Sequence, residues 1–399
     1  MATKQETQSA AQETAAPASR QTPPHSVPAV LTSDRRSMPA DFSISLFGKG
    51  GTDQQLLHPP TQRRQPMRGF DELYVDIVDF IVRVTHRIWE EKDIGYIYDT
   101  YRHNARVTDD SGLQYGRDKI VADTIHTINA FPDIRIFADE VIWAGDEDIG
   151  FYTSHRGVIT GHNSGYSKYG PPTGGKIAIW AVANCTSIEN EFFEEFVLYN
   201  NSSMLGQLGF DLREKAREMA NHLPASSLGD LHTGEVERLL GQGKPPHLPD
   251  KLPGVPDVED FIRRAYHYIW NWRLLSRIDD AYVPNLRFHG ATDREYYGRG
   301  EYKSFILSMI AMFPDLVHQI DDIYWMGNER EGYLVSVRWS VLGTHRGYGI
   351  YGPPTGRRVH IWGINQEVIR GGKIVEEWML FNEFEVMQQI YRDEPFVVE

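Results

Sequence analysis

The sequence YGPPTGGKIAIW at residues 169–180 returns as YGPPTGRRVHIW at residues 351–362, which is 182 positions later (351 − 169). Flanking matches keep this spacing, among them Tyr-Gly-Arg at 115–117 and 297–299 and Phe-Pro-Asp at 131–133 and 313–315. Further upstream, DFIVRVTHRIW from Asp79 aligns with DFIRRAYHYIW from Asp260 at a spacing of 181 (260 − 79), so a single residue is inserted in between. A fixed internal spacing of this kind indicates a repeated structural unit. The chain is therefore predicted to be a tandem duplication.

The repeat divides the chain into four predicted segments: an N-terminal segment 1–68, a first unit 69–210, a helix and linker 211–256, and a second unit 257–399. The N-terminal segment is rich in Ala, Gln, Ser, Thr and Pro, a composition that predicts a disordered or extended chain. Within it, DFSISLF at residues 41–47 is apolar enough to dock on the folded body. The linker ends in GQGKPPHLPDKLPG, whose Gly and Pro content is typical of a connection between domains.

Each unit begins with helices and continues with strands. In the first unit, apolar residues at near-helical spacing predict an amphipathic helix over 77–89, then a short helix near 94–101 and a third over 118–129 that ends before Pro132. Strand-like runs follow: VIWAG, IGFYTSHRGVIT, KIAIWAVANCTSI and FFEEFVLYN. This order predicts an α+β fold in which an antiparallel sheet packs one face on the helices. Because the other face would expose apolar residues, we expect the two sheets to pack together as an intrachain pseudo-dimer, open to further homo-oligomerisation.

Composition and charge narrow the function classes. The formal charge of −14 argues against a nucleic-acid-binding surface, which requires a clustered basic face. Cys185 is the single cysteine, so an intrachain disulfide is excluded and a reducing, cytoplasmic location is expected. Neither an apolar run of about 18 residues nor an apolar signal region is present, so membrane insertion and secretion are not predicted. The sequence also lacks metal-ligand patterns, phosphate loops and nucleophile motifs, so no metal or cofactor is expected.

The run GTHRGYGIYGPPTGRRVHIWGINQEVIRGGKIVEEW at residues 343–378 resembles the SnoaL-like polyketide cyclases of the nuclear transport factor 2-like superfamily. The resemblance lies in G-x-P-P-T-G before one strand, combined with G-K-I-x-E-x-W in the next. The first unit keeps the former motif but has ENEFF where the second has the G-K-I turn. The resemblance implies two cone-shaped α+β domains, each with an apolar pocket for a small-molecule substrate between a curved sheet and its helices.

The resemblance further implies acid–base chemistry without a metal or organic cofactor. In the cyclases an aspartate lies four residues beyond the tryptophan of the last strand, and the matching positions here hold Asn382 and Asn200. An amide cannot accept a proton near neutral pH. Similarity to the scytalone dehydratase branch, which uses His, Tyr and Asn, therefore favours a lyase or dehydratase that eliminates water or formaldehyde from an aromatic or polyketide-like substrate, such as a lignin-derived aryl diol. A cyclase or isomerase and a non-catalytic ligand-binding or assembly module stay open as alternatives.

Strand alternation and residue chemistry select the candidate catalytic side chains. Glu376 shares a strand face with Asn382 and is a candidate acid or base. Mid-strand arginines can hold a developing anionic oxygen, and histidines are the usual general bases near neutral pH. These candidates are Arg156, Arg338, His162, His289 and His345. Each type also has a structural explanation, since glutamates are often solvated, buried arginines are usually ion-paired and most histidines serve hydrogen bonding.

Aromatic and amide side chains are expected to line the two pockets, because stacked rings orient flat ligands, although many of them can equally be core residues. The substrate-binding candidates are Trp89, Tyr101, Tyr115, Trp180 and Asn184 in the first unit and Trp270, Tyr282, Tyr297, Trp339, Trp362 and Gln366 in the second.

The second unit is predicted to be the catalytic one because it keeps both family-like motifs. Our hypothesis groups His289, Arg338 and Asn382 as a proton-transfer and oxyanion-holding set. The matching positions Thr108 and Asn200 in the first unit are expected to be dispensable for turnover.

Overall fold

The computed structural model describes residues 30–32, 37–38, 51–222 and 245–392. Its helices are α1 (Gly51–Leu57), α2 (Ile77–Trp89), α3 (Ile97–Thr100), α4 (Arg117–Ala130), α5 (Asn201–Gln207), α6 (Leu212–Met219), α7 (Asp257–Tyr266), α8 (Arg277–Ala281), α9 (Arg299–Met312) and α10 (Glu383–Tyr391). Its strands are β1 (Val30–Thr32), β2 (Ser37–Met38), β3 (Tyr101–Asp109), β4 (Gly112–Tyr115), β5 (Arg135–Asp146), β6 (Gly150–His162), β7 (Lys176–Ile188), β8 (Glu191–Tyr199), β9 (Tyr282–Gly290), β10 (Arg294–Tyr297), β11 (Val317–Asn328), β12 (Gly332–Thr344), β13 (Arg358–Arg370) and β14 (Lys373–Phe381).

The helices begin and end where local chemistry requires. Helix α2 starts at an N-cap, Asp76, whose carboxylate accepts the backbone N–H of Asp79 at 2.9 Å. Its first six residues, Ile77 to Val82, are all buried, and the later buried residues Val84 and Ile88 continue the apolar stripe. Helix α4 ends at Ala130, one residue before the Phe-Pro pair, as the sequence predicted.

The two units contain matching sheets. The first has the order β4–β3–β8–β7–β6–β5, and the second has the order β10–β9–β14–β13–β12–β11–β1–β2. Most neighbouring strands are antiparallel, as predicted, but β3 pairs with β8 and β9 pairs with β14 in the parallel sense. The sheets are therefore mixed, which corrects the prediction of antiparallel sheets. A parallel pair needs a long connection between its strands, and in each unit a hairpin strand, a long helix (α4 or α9) and three further strands separate the early strand from the last one in the chain.

The N-terminal segment differs in part from its prediction as disordered or extended chain. Residues 30–32 pair with β11 at the edge of the second sheet, and residues 37–38 extend that edge by one more strand. Helix α1 also lies within the segment, and the hydroxyl of Thr52 donates to the backbone carbonyl of Ala138 at 2.9 Å. The proposed docking sequence at residues 41–47 lies outside the described residues.

The YGPP repeat lies in the turn that joins β6 to β7 in the first unit and β12 to β13 in the second. In both copies the second glycine of the motif has a positive φ of 71°, at Gly174 and at Gly356, a conformation that favours glycine. In the first copy, Asn163 Oδ1 accepts the backbone N–H of Thr173 at 2.9 Å and fixes the turn. The aromatic residue that opens each copy is buried, and the ring of Tyr169 contacts Phe384 of the other unit.

Each sheet has one face toward its own helices and one face toward the other sheet. We call the interior between the sheet and helices α2 and α4 the first cone, and the interior between the sheet and helices α7 and α9 the second cone. Across the opposite faces, Gln366 Nε2 donates to Ser154 Oγ at 3.0 Å, and Asn184 Nδ2 donates to Ser336 Oγ at 3.3 Å. The repeat relates these two contacts, because Gln366 matches Asn184 and Ser336 matches Ser154 at the spacing of 182 (366 − 184 and 336 − 154). The sheets thus pack on each other with approximate twofold symmetry, as the sequence predicted.

In the described part of the chain, none of the helices is both long and apolar enough to span a bilayer.

Candidate active site in the second unit

Strand β14 separates two neighbouring glutamates onto opposite faces. Glu377, Met379 and Phe381 point into the second cone, whereas Glu376 and Trp378 face the first unit. Side chains alternate along a strand, so a shift of one residue exchanges the faces. Glu376, the predicted acid or base, therefore lies outside the second cone, and the glutamate inside that cone is Glu377.

Two carboxyl groups lie side by side in the second cone. Glu367 on β13 is directly opposite Glu377 on β14, and both residues are 0% exposed. Directly opposite residues of an antiparallel pair have Cβ atoms about 4.5–5.5 Å apart. Two ionised carboxylates at this separation and depth would repel each other strongly. The pair therefore favours states that retain a proton.

Buried donors hold this carboxyl pair in place. The hydroxyl of Tyr266 donates to Glu367 Oε1 at 2.6 Å, and Asn365 Nδ2 donates to Glu377 Oε1 at 2.8 Å. The same amide nitrogen lies 2.6 Å from the Tyr266 hydroxyl, which links the two acids. The indole N–H of Trp339 donates to Asn365 Oδ1 at 2.8 Å and so fixes the orientation of the amide. Tyr266, Asn365 and Trp339 thus form one connected network around the pair.

A pair of tyrosines closes the network on the side of α9. The hydroxyls of Tyr282 and Tyr302 lie 2.9 Å apart, and Tyr302 donates to Glu377 Oε1 at 3.4 Å. Burial, followed by the charge of Glu377, holds the pKa of both phenols well above the ordinary value, so they stay protonated. The second carboxyl oxygen of each acid, Oε2 of Glu367 and of Glu377, has no hydrogen-bond partner among the described residues. Neither glutamate lines the adjacent cavity, so a bound molecule reaches these oxygens only if neighbouring side chains move.

Burial sets the protonation of the pair. It raises the pKa of Glu377 to about 7, although hydrogen bonds from Tyr282 and Tyr302 oppose the shift. Burial, together with the neighbouring charge of Glu377, holds the pKa of Glu367 well above its ordinary value. Near neutral pH, Glu367 is protonated and Glu377 is close to half ionised. Such a pair titrates as one coupled unit and can both donate and accept a proton.

A small apolar cavity of about 10 Å³ lies beside the network, at the lower limit for holding one water molecule. Its wall includes the ring of His318, which stacks against Trp270 with ring centroids 5.6 Å apart and against Trp339 at 5.0 Å. Burial lowers the pKa of His318 to about 3, so the imidazole is neutral. Its Nε2 atom has no hydrogen-bond partner within the described residues. The cavity wall thus combines stacked aromatic rings with one uncommitted nitrogen.

A π-helical turn positions this wall. Helix α7 continues into a π-helix at His267–Asn271, which carries Trp270 and Asn271. The Asn271 amide accepts the backbone N–H of His318 at 2.7 Å and donates to its carbonyl at 2.8 Å. Single π turns occur often at functional sites. Here the turn ties the end of the helix to the first residues of β11.

The predicted set of His289, Arg338 and Asn382 does not come together. His289 on β9 and Arg338 on β12 are separated by β14 and β13, which places them three strand spacings, about 14 Å, apart. Both are on the face toward the first unit: His289 stacks on Trp378 at 3.8 Å, and the Arg338 guanidinium lies 3.8 Å from the Phe196 ring. Asn382 precedes α10, where its Oδ1 accepts the backbone N–H of Trp362 at 3.0 Å. The three residues are held by separate structural contacts.

The other predicted catalytic residues also lie outside the second cone's carboxyl pair. Arg156 forms an ion pair with Asp139 at 2.5 Å and donates to Gln366 between the sheets. Asn200 accepts the backbone N–H of Thr292 at 2.9 Å across the two units. His162 pairs with Asp133 at the surface at 2.6 Å, and His345 is buried in the turn after β12 with its Nδ1 3.2 Å from Thr355 Oγ1. Their positions fit the structural alternatives considered for them.

The predicted substrate-binding residues divide into three groups. Trp89 and Tyr101 in the first cone, and Trp270, Tyr282 and Trp339 in the second, lie inside the cones. Four others lie between the two sheets: Trp180, Asn184, Trp362 and Gln366. Tyr115 and Tyr297 are 63% and 67% exposed at the ends of their hairpins, outside the interiors of both cones.

Sequence reasoning missed Glu367, Glu377, Asn365, Tyr266, Tyr302 and His318. A usable signal was present in β13 and β14, where Asn365, Glu367 and Glu377 are polar residues on a strand face that is otherwise largely apolar. Among the described residues, no group of three or more His, Cys, Asp and Glu side chains is placed to hold a metal ion.

Comparison with known proteins adds a family match for the second unit. Residues 261–390 match the model of the SnoaL-like polyketide cyclases. One similar solved structure is wild-type IdmH, a proposed polyketide cyclase from Streptomyces antibioticus, with 23% identity over 34% of this chain and 99% of that chain and a TM-score of 0.29. A second is a proposed SnoaL-like polyketide cyclase from Jannaschia sp. CCS1, with 16% identity over 37% of this chain and 100% of that chain and a TM-score of 0.30. A third is AclR, a proposed hydroxylase from Streptomyces galilaeus, with 22% identity over 33% of this chain and 92% of that chain and a TM-score of 0.28. No curated protein matches the chain significantly.

Proposed function

We propose that the second unit, a SnoaL-like polyketide cyclase domain, catalyses proton transfer on a small carbonyl compound, leading to ring closure or isomerisation. The observation that carries this proposal is the buried pair of Glu367 and Glu377, directly opposite each other and both fully buried. Buried acids with shifted pKa values in a confined interior are typical of sites that do acid–base chemistry.

Glu377 is the group we assign as the base. Its pKa of about 7 leaves a substantial carboxylate fraction near neutral pH. A carboxylate with a raised pKa is a stronger base than an ordinary one and is suited to removing a proton from carbon beside a carbonyl group. Its uncommitted Oε2 is the atom that would accept the proton.

Glu367 is the group we assign as the acid. The raised pKa keeps it protonated when Glu377 is ionised, so its carboxyl group can donate a hydrogen bond to the oxygen of a developing enolate. The enolate carbon then attacks a second carbonyl group, which closes a ring and leaves an alkoxide that takes the proton from Glu377, or the enolate takes that proton back at another carbon, which isomerises the substrate. In either case the pair ends the cycle with the number of protons with which it began.

The cavity wall indicates a flat, largely apolar substrate. The stacked rings of Trp270, His318 and Trp339 offer aromatic faces to a ring or conjugated chain. In this structure the cavity holds no more than one water-sized molecule, so substrate entry requires side chains to move. Met309 and Met379 line the same cavity, and methionine adapts readily because its side chain is unbranched and flexible.

Elimination of water is a second candidate reaction. The protonated Glu367 faces the same space as Glu377, so it could protonate a leaving hydroxyl group while Glu377 removes the proton from carbon. Product analysis separates the two reactions, because elimination lowers the product mass by one water and isomerisation does not change it.

The proposal is tested by Glu377→Gln in the full chain, with Glu376→Gln as its matched control on the other face of the same strand. Glutamine keeps the hydrogen-bond acceptor but cannot take a proton. We expect Glu377→Gln to lower kcat by about 10²–10⁴ and Glu376→Gln to leave it near the wild-type value. Turnover is measured by liquid chromatography coupled to mass spectrometry, which separates isomeric products by retention time, on a panel of poly-β-carbonyl and aryl-diol compounds, with circular dichroism as the check on folding.

The pH profile supplies an independent readout. If Glu377 is the base, wild-type kcat/KM rises as the pH passes through about 7. Full turnover by a folded Glu377→Gln variant would contradict the assignment. Absence of turnover by the wild type across the panel would favour the binding or assembly module.

A further inference from the structure

The hydrogen bonds around the carboxyl pair have a fixed direction, and it begins at Trp339. An indole nitrogen can only donate, and Trp339 Nε1 lies 2.8 Å from the side-chain amide of Asn365. The amide therefore presents its oxygen, Oδ1, to the indole. Its nitrogen, Nδ2, then lies 2.6 Å from the Tyr266 hydroxyl and 2.8 Å from Glu377 Oε1. Both hydrogens of the amide nitrogen are thus committed.

The direction continues from the amide to the second acid. The Tyr266 hydroxyl accepts a hydrogen from Asn365 Nδ2 and has a single hydrogen of its own. It donates that hydrogen to Glu367 Oε1 at 2.6 Å. One branch of donors therefore ends at Glu377 and the other, through the tyrosine, ends at Glu367. Neither branch can reverse while the indole N–H of Trp339 stays in place.

The two branches are unequal. Glu377 Oε1 receives the Asn365 amide and, at 3.4 Å, the Tyr302 hydroxyl. Among the described residues, Glu367 receives the Tyr266 hydroxyl alone. Hydrogen-bond donors stabilise the ionised form of a carboxyl group. The arrangement therefore favours the negative charge on Glu377 and the proton on Glu367.

The neighbouring strand provides the space in which the Trp339 ring lies. Gly363 on β13 is directly opposite Trp339 on β12, and a Cβ atom at position 363 would come within 2.3 Å of the ring. Any larger residue at this position would displace the indole. The ring also stacks on His318, with centroids 5.0 Å apart. These contacts hold the indole N–H toward the Asn365 amide.

The first unit shows that the fold can form without this network. Glu377 is matched there by Glu195, whose Oε2 accepts the hydroxyl of Tyr101 at 2.9 Å. The other network residues are all replaced. With the second-unit residue given first, the pairs are Trp339 and Gly157, Asn365 and Ala183, Tyr266 and Thr85, and Glu367 and Cys185. The indole, the amide, the phenol and the second acid are thus present together in one unit and missing together from the other. This pattern indicates a role for the set other than building the sheet.

We infer that Trp339 is a positioning residue for the carboxyl pair: by fixing the Asn365 amide, its indole N–H directs the negative charge to Glu377 and leaves the proton on Glu367. Without the indole N–H the amide can rotate and place Oδ1 beside Glu377. Two oxygen atoms attract each other at that distance only if one of them carries a hydrogen, so the rotated amide favours a protonated Glu377. The effect of Trp339 on turnover rests on the function proposed above, whereas the location of the charge can be measured without a substrate.

Nuclear magnetic resonance of the full chain, labelled with carbon-13 at the glutamate side-chain carboxyl groups, tests the inference. The signals of Glu367 and Glu377 are assigned from their disappearance in Glu367→Gln and Glu377→Gln, and each is followed in a pH titration. Trp339→Phe keeps an aromatic ring but has no N–H, and we expect it to raise the pKa of Glu377 by about one unit. Trp325→Phe is the matched control and should leave this pKa unchanged, because the buried indole nitrogen of Trp325 has no hydrogen-bond partner among the described residues.

Asn365→Ala provides a second variant, because alanine is the residue at the matching position of the first unit and is compatible with the same strand. It removes the donor itself and should raise the pKa of Glu377 by a similar amount, with circular dichroism as the check on folding. An unchanged or lowered pKa of Glu377 in the folded Asn365→Ala or Trp339→Phe variant would overturn the inference. An equal shift in Trp325→Phe would overturn it as well.

The effect on turnover is a separate readout. If the proposed function holds, the rise of kcat/KM with pH should move upward by about one unit in Trp339→Phe, in step with the pKa of Glu377. Because the titration needs no substrate, a wild-type chain without turnover would contradict the proposed function and leave the positioning role standing. Unshifted carboxyl signals in an active protein would do the reverse.

Discussion

Two consecutive glutamates illustrate how position decides chemistry at the scale of the residue. Glu376 faces the first unit, where the hydrogen bond from His289 and the charge of Arg287 hold its pKa below the ordinary value. Glu377 faces the second cone, where burial raises its pKa to about 7. The peptide backbone and the side-chain type are the same. Only the direction in which each side chain points separates a structural ion pair from a candidate base.

The two glutamates should have opposite effects on stability as the pH changes. The pKa of Glu377 is raised on folding, so the folded chain binds more protons than the unfolded chain between about pH 4.5 and 7, and stability falls as the pH rises through that range. Replacing Glu377 by Gln removes this loss. The free energy of unfolding of Glu377→Gln minus that of wild type should therefore increase by about 3 kcal/mol from pH 5 to pH 8. Urea denaturation of both proteins at the two pH values measures this difference.

Glu376→Gln is the control, because its effect on stability should depend on pH in the opposite sense. Its lowered pKa contributes stability that is present above its unfolded pKa, near 4.5, and is lost as the pH falls. This variant should therefore be less stable than wild type at pH 7, and the difference should shrink toward pH 4. If the stabilities of both variants relative to wild type changed with pH in the same direction, the opposite orientations of the Glu376 and Glu377 side chains would be contradicted.

At the scale of the element, each unit ties the end of its first long helix to the strand after its second. In the second unit the tether is Asn271, which makes two hydrogen bonds to the backbone of His318. In the first unit the matching position holds Glu90, whose Oε1 accepts the backbone N–H of Ile136 at 3.1 Å. The contact is thus conserved in geometry between the copies although the side chains differ. It holds the helix over the sheet and so keeps the cone in shape.

Removing the tether should destabilise the second unit. Asn271→Ala leaves the buried backbone N–H and carbonyl of His318 without their partners, which costs about 1–3 kcal/mol. The free energy of unfolding, measured with urea, should fall by that amount. Asn129→Ala, at an exposed position near the end of α4, is the control and should change it by less than about 0.5 kcal/mol. Equal stability of the Asn271→Ala variant and wild type would show that water replaces the amide.

At the scale of the whole molecule, the contact between the sheets is built from pairs of symmetric interactions. The guanidinium of Arg156 lies 4.0 Å from the ring of Trp378, and that of Arg338 lies 3.8 Å from the ring of Phe196, positions related by the repeat. Trp180 contacts Trp378 and Trp362 contacts Phe196 in the same symmetric manner. The duplication thus supplies both halves of one interface within a single chain.

The two symmetry-related contacts between the sheets differ in their number of hydrogen bonds. Gln366 bonds to the hydroxyl and the carbonyl of Ser154 and accepts from Arg156, whereas its counterpart Asn184 makes one contact of 3.3 Å to Ser336. Gln366→Ala should lower the free energy of unfolding by about 2–3 kcal/mol, because it removes its buried hydrogen bonds to Ser154 and leaves Nη1 of Arg156 without its acceptor, although Arg156 keeps its ion pair with Asp139. Asn184→Ala should cost about 1 kcal/mol or less. Urea denaturation of the two variants checks the order, and a larger loss for Asn184→Ala would contradict it.

Much of the fold could be predicted from the sequence because its elements are local and periodic. The helices over 77–89 and 118–129, the four later strands and the YGPP turn follow from side-chain spacing and from proline and glycine positions. Because the sequence is duplicated, each element could be predicted from two copies. The mixed strand order was missed, since the parallel pairing of β3 with β8 joins segments far apart in the chain.

The candidate site was predicted only in its aromatic part. Trp270, Tyr282 and Trp339 lie in the second cone as expected, but the carboxyl pair was not identified. Strand alternation correctly grouped residues into two faces, yet it could not say which face enters the cone. A sheet exposed on one side would show one apolar and one polar set. Here both faces are buried, so both sets are largely apolar.

The sequence by itself determined the repeat, the elements and the two sets of side chains on each strand, because these depend on backbone geometry with periods of about 3.6 and 2 residues. Only the tertiary structure decided which set forms the candidate site. The sheet of the first unit covers the face that carries Glu376, Arg338 and Gln366, and the helices of the second unit enclose the face that carries Glu377. Burial without a compensating charge then raises the pKa of Glu377, and that environment is created by residues distant in the sequence.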